Sequence, residues 1–158
     1  MIVVSDTSPI TNLLQIGELD LLRRIFGEII VPIQVFNELC QIESQKNVLG
    51  KQEWIKSATP SNRKLKDDLL EKLDEGESEA IALAIELKAD YLLMDEQAGR
   101  LIAQSYGIKV TGILGVLIQA KDKGLISEVK PLLEGLVSDA GFWLNPKLIE
   151  EVLKLVGE

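Results

Sequence analysis

Residues 73–100 read LDEGESEAIALAIELKADYLLMDEQAGR. Gly76 breaks the chain, and Glu77 to Lys88 then carries Ala80, Ile81, Ala84, Ile85 and Leu87 at helical spacing. Tyr91 to Met94 is a short apolar run, read as a buried strand, and Asp95-Glu96 stands where it ends. A parallel α/β sheet places strand ends and helix starts on the same edge, where ligands bind. Four carboxylates, Glu77, Glu79, Asp95 and Glu96, are thereby candidates for one spot. Like charges gathered together are unfavourable unless a cation sits among them.

The flanking sequence repeats the alternation of strand and helix. Upstream, Ile2-Val3-Val4-Ser5 is a β-branched run closed by Asp6. Thr7 or Ser8 can cap the helix that follows, with Pro9 in its first turn. A second helix carries Leu19, Leu21, Leu22, Ile25 and Phe26 and stops at Gly27. Glu28 to Val31 is a second strand, and Pro32 starts a helix with Val35, Phe36, Leu39 and Ile42 on its apolar stripe and Glu38 inside it. Gln45 to Gly50 reads as a polar loop, Trp54-Ile55-Lys56 as an edge strand, and Arg63 to Lys72 as a charged surface helix.

Downstream, Gln97 to Tyr106 is a helix, Ile108-Lys109-Val110 a strand, and Thr111-Gly112 the turn into an apolar helix ending at Lys123. Glu128 to Val137 is a further helix, and Asn145-Pro146 starts the last. The alternation predicts a three-layer α/β/α, Rossmann-like domain with a mostly parallel central sheet. One domain spanning 1–158 is expected, with the helix over 146–156 as an appendage.

The composition narrows the chemistry. The 158 residues contain no histidine and one cysteine, Cys40, which excludes Ser-His and Cys-His catalysis, a His-ligated zinc and an intrachain disulfide. A reducing, cytoplasmic setting fits, and the apolar window from Val110 to Ala120 is too short to cross a bilayer. The net charge of −8 argues against a general nucleic-acid binder but not against an enzyme whose acids hold a metal.

Asp6 at the end of the first strand joins the acids of the opening stretch at the same edge, and Glu38 lies about two turns into its helix. Taken singly, each has a structural explanation: Asp6 a turn, Glu38 a solvated helix face, Glu77 and Glu79 the helix dipole, Asp95-Glu96 a cap. Their joint placement favours a site. An all-oxygen donor set suits Mg²⁺ or Mn²⁺ and phosphodiester hydrolysis.

The ordered segments VVSDTSP (3–9), VFNEL (35–39), GESEAIALA (76–84), LLMDE (92–96) with Arg100, and VTG (110–112) resemble the PIN-domain family, in particular the toxin nucleases of toxin–antitoxin pairs. The resemblance covers residues 1 to about 125. It implies a Rossmann-like nuclease that hydrolyses RNA through an acidic Mg²⁺ or Mn²⁺ site. Asp6 and Asp95 would be central ligands, Glu38 the mid-chain acid, and Glu96 a supporting acid. For the remaining acid, the family pattern Asp-Ala-x-Ile-Ala-Ala puts Glu79 first, whereas the spacing to Asp95 puts Glu77 first. Asp6, Glu38, Glu79 and Asp95 are thus the expected catalytic set, with Glu77 and Glu96 as further metal ligands. Thr7 or Ser8 would contact a ligand, and Arg100 would be the best cation for a phosphate. The resemblance also implies a homodimer and an antitoxin partner. The competing expectation is a non-catalytic module that keeps the fold to bind nucleic acid or protein. A phosphatase using Asp6 ranks lowest, because Ser8 stands where that chemistry wants a second acid.

Overall fold

The computed structural model describes all residues, 1–158. Five strands form one all-parallel sheet in the order β3-β2-β1-β4-β5. They are β1 (Val3–Ser5), β2 (Ile29–Pro32), β3 (Ile55–Ala58), β4 (Tyr91–Leu93) and β5 (Val110–Thr111). The helices are α1 (Thr7–Gln15), α2 (Asp20–Phe26), α3 (Ile33–Leu39), α4 (Glu43–Leu49), α5 (Arg63–Leu70), α6 (Glu75–Glu86), α7 (Gln97–Ser105), α8 (Ile113–Asp122), α9 (Lys130–Ser138) and α10 (Pro146–Leu155).

Alternation along each strand splits the core in two. Val3, Ile29, Val31 and Leu93 face the layer that holds α1, α2, α8 and α9. Val4, Leu92 and Met94 face the opposite layer, where Ile81, Leu83 and Ala103 of α6 and α7 cover them. Strands covered on both faces read as continuous apolar runs, which is why β1 and β4 show no polar alternation. Val152 of α10 and Leu144 before it belong to the first of these clusters. No helix is long and apolar enough to cross a membrane.

Strand order decides where the site falls. β1 is central, paired with β2 at Val4↔Ile30 and with β4 over Val3↔Tyr91 to Ser5↔Leu93. The chain leaves β1 toward β2 on one side and reaches β4 on the other only after α6. The crevice beyond the carboxyl end of β1 is therefore the topological switch point of the sheet.

Three local expectations are corrected. Gly76 does not break the chain: it lies inside α6, which starts at Glu75. Asp74 is the N-cap and accepts from the Glu77 amide, while Glu77 accepts from the Asp74 amide, a complete capping box. The stretch from Gln45 is not a loop but most of α4, because Leu49 and Gln45 pack inward. The helix carrying Glu38 ends at Leu39, and Ile42 lies outside it, half exposed.

Glu158 ties the last helices together. Its carboxylate accepts from the Val129 and Lys130 amides, which open α9, at 2.7 and 3.0 Å, and from Lys121 Nζ at 2.9 Å. These donors hold its pKa down at about 2. A depressed folded-state pKa means that the stabilisation is present above the ordinary value of 4.5 and is lost as pH falls toward 2. Glu158→Gln should therefore melt at a lower temperature than wild type at pH 7, with the gap closing toward pH 2 in parallel thermal melts.

Candidate metal centre

Asp6 is the last residue before α1 and its N-cap, yet its side chain makes no capping hydrogen bond. The Asp6 amide donates to Leu93 O at 2.9 Å, which fixes its position above the β1–β4 pair. Asp6 is only 7 % exposed. Burial is the main cause that pushes its pKa up to about 7; the Thr7 amide opposes the shift, and the charges of Glu77, Asp74 and Glu38 add to it. The acids around Asp6 thus stand close enough to feel one another.

Together they line a cleft of about 320 Å³ with no apolar residue in its wall. The carboxylates are Asp6, Glu38, Asp74, Glu77 and Glu96, and Thr7, Ser8, Thr11 and Asn12 supply the remaining polar groups. Each of two key acids has one oxygen fixed by the protein. Glu38 reaches in from α3, and its Oε2 accepts from Thr7 Oγ1 at 2.7 Å. Gln34, one turn earlier on α3, donates a long hydrogen bond from Nε2 to Glu38 Oε1 at 3.5 Å. Glu77 uses Oε1 in the capping box, and its buried Oε2 has no partner. Burial, again the main cause, pushes the Glu77 pKa up to about 6.

Two expected residues are placed elsewhere. Glu79 does not line the cleft. It lies two residues beyond Glu77, about 200° round the helix, and faces α5. There it pairs with Lys66 at 3.6 Å, beside Arg63, Asp67 and Thr59. Between the two candidates for the third acid, the cleft takes Glu77. Asp95 also turns aside. Its Oδ1 accepts from the Ile113 amide at the start of α8 at 2.8 Å, and its buried Oδ2 has no partner. Burial raises the Asp95 pKa, opposed by the Ile113 amide and the Arg100 charge. Asp95 lines a second groove, of about 700 Å³, with Arg100, Leu114, Ile118 and Trp143. Its neighbour Glu96 takes the place in the cleft, because adjacent residues of an extended segment point opposite ways.

The cations stand outside the cleft. No lysine or arginine lines the cleft. Arg100 Nη1 donates to Met94 O at 2.9 Å, and Arg23 pairs with Asp20 at 2.7 Å.

Asp74, Thr11 and Asn12 were not singled out in the sequence. Asp74 had a readable signal, an acid three residues before Glu77 in the capping-box spacing. Asn12 sits one turn beyond Ser8, to which its Nδ2 donates at 3.2 Å. That spacing is too common to select a residue.

A family model described as a PIN domain matches residues 2–158. The chain belongs to the PIN-domain family. The family's fold is of nuclease type, and the match takes in every residue of the cleft. No curated protein matches the sequence.

The donor set fits a hard divalent ion. All the donors are oxygens, one buried carboxylate oxygen of the cleft lacks a partner, and burial, with the acids beside it, raises the Asp6 pKa to about 7. No three of the acids stand close enough together to hold a metal ion by themselves. Mg²⁺ does not need three, since it keeps several waters and binds through one or two carboxylates plus substrate phosphates.

In chelator, the raised pKa values of Asp6 and Glu77 carry a definite sign. Ordinary values of 3.8 and 4.5 rise to about 7 and 6 on folding, so the folded protein holds more protons and its stability falls as pH rises through that window. For Asp6 the full effect is up to about 4 kcal/mol. Asp6→Asn keeps a good N-cap residue and removes the charge. Thermal melts in chelator should show wild type losing stability between pH 5 and pH 8, and Asp6→Asn melting above wild type at pH 8. A lower melting temperature for the variant at pH 8 would show that the Asp6 charge is not strained.

Proposed function

We propose that the protein is a metal-dependent ribonuclease, with Mg²⁺ or Mn²⁺ held in the cleft by Asp6, Glu38 and Glu77 and with Glu96 at its rim. The observation that carries this reading is the convergence of acids from β1, α3 and α6 on one wholly polar cleft at the switch point of the sheet. Such an ion, when bound, activates the attacking water and stabilises the leaving oxygen of a phosphodiester.

The chain's own contribution is orientation. The end of β1 fixes Asp6, the Thr7 hydroxyl turns Glu38, and the capping box turns Glu77, so that the three acids line one cleft. Asp95 fastens the start of α8 beside the end of β4 and stands next to Glu96 as a support. The open, polar cleft favours a single strand, whose phosphates supply the ligands the protein leaves out.

A second reading is a non-catalytic PIN-fold module that binds nucleic acid or protein. The absence of lysine and arginine from the cleft wall favours it, because nothing in that wall offsets the repulsion of a phosphate when no metal is present. Exposed Trp143, Leu155 and Leu101 suit a protein contact, whether with a second copy or with an antitoxin-like partner.

Cleavage of single-stranded RNA in Mn²⁺ separates the two. Asp6→Asn and Glu77→Gln should each lower the rate by more than about 100-fold, beyond the cost of losing a supporting group. Glu79→Gln should cost less than about 10-fold, because that carboxylate faces Lys66 and not the cleft. Equal losses at Glu77 and Glu79, or cleavage that survives Asp6→Asn, would overturn the assignment. Absence of any cleavage by wild type would favour the binding module.

A further inference from the structure

We infer that Gly76 is a positioning residue: its missing side chain is the space in which the Glu38 carboxylate lies across the first turn of α6. A Cβ at position 76 would sit 3.1 Å from both Glu38 carboxylate oxygens and 3.4 Å from their carbon. That is closer than ordinary contact, and the neighbour it meets is the tip of a flexible side chain. Gly76 is buried inside α6, and its backbone has no positive φ. Neither a turn nor a left-handed conformation requires glycine there. What requires it is the close approach of the acid.

Glu38 comes from α3, and Glu77, the next residue after Gly76, comes from α6. Both acids line the cleft where these helices pack together. Thr7 pulls on the carboxylate from one side at 2.7 Å, and Gly76 leaves it room on the other. A methyl at position 76 would make the carboxylate give way by a few tenths of an ångström.

The same arrangement recurs at two further acids. A Cβ at Gly99 would lie 3.2 Å from Glu77 Oε2, and one at Gly112 would lie 2.8 Å from Asp95 Oδ1. Substitution at those glycines would also strike Met94 Sδ at 2.5 Å and Arg100 Nη1 at 2.7 Å, so only Gly76 isolates the effect on the acid.

The inference rests on the metal-centre reading for its consequence, and its test separates the two. Stability and affinity should move independently in Gly76→Ala. Alanine is the better helix former, so the melting temperature in chelator should stay level or rise by up to about 4 °C. Mn²⁺ affinity, measured by calorimetry, should weaken by about 10-fold or more. If Gly76 acts through Glu38, adding Gly76→Ala to Glu38→Gln should weaken binding no further, a null result in the double-mutant cycle. Wild-type Mn²⁺ affinity in Gly76→Ala, an equal loss in the Glu38→Gln background, or a melting temperature lowered by several degrees would each overturn the positioning role. If wild type itself binds no Mn²⁺, the metal-centre reading falls and the role with it, a result distinct from any of these.

Discussion

The enclosure of carboxylates beside one another, away from water, is the constraint on which the rest of this structure depends. Asp6 is almost fully enclosed, and the charges nearest to it are those of other acids. Burial and like charge both work against its ionised form. A fold that keeps such a group must hold its neighbours in place against that repulsion, and several local features do so. Thr7 ties down Glu38, the capping box ties down Glu77, and the Leu93 carbonyl ties down the Asp6 amide. The same constraint accounts for the all-polar cleft wall, because an apolar lining would raise the desolvation cost further. Nearby acids that would worsen the repulsion point elsewhere: Glu79 toward Lys66, Asp95 toward the start of α8.

The architecture converts distant sequence into this short-range problem. Asp6 and Glu77 are separated by two strand-to-strand crossovers, yet β1 and α6 pack against each other. The parallel order puts β1 in the middle, so each neighbouring strand brings its following loop or helix to the same edge.

Much of this was legible in the residues. Apolar runs marked β1, β2 and β4 because strands covered on both faces need little else, and Gly or Asn-Pro punctuation marked most helix ends. The helix α4 was hidden because Glu43, Ser44, Gln45, Lys46 and Asn47 outweigh its buried Leu49 in any count of polarity. In the site, the sequence offers Glu77 with Glu79 and Asp95 with Glu96, and one member of each pair lines the cleft. Glu77 and Glu79 lie on opposite sides of one helix, and Asp95 and Glu96 on opposite sides of one extended segment. Which member enters the cleft depends on the rotation of α6 and on where α8 begins, and both are set by packing between elements far apart in the chain. Gly76 reads as punctuation in the sequence for the same reason: its purpose is visible only once Glu38 lies on top of it.

The most direct measurement is the location of a bound metal ion. A crystal soaked in Mn²⁺ and measured for anomalous scattering reports where the ion sits, independently of any activity. A peak among Asp6, Glu38 and Glu77 is the expected result. A protein that stays empty at millimolar Mn²⁺, or one that takes the ion beside Glu79 and Lys66, would contradict it.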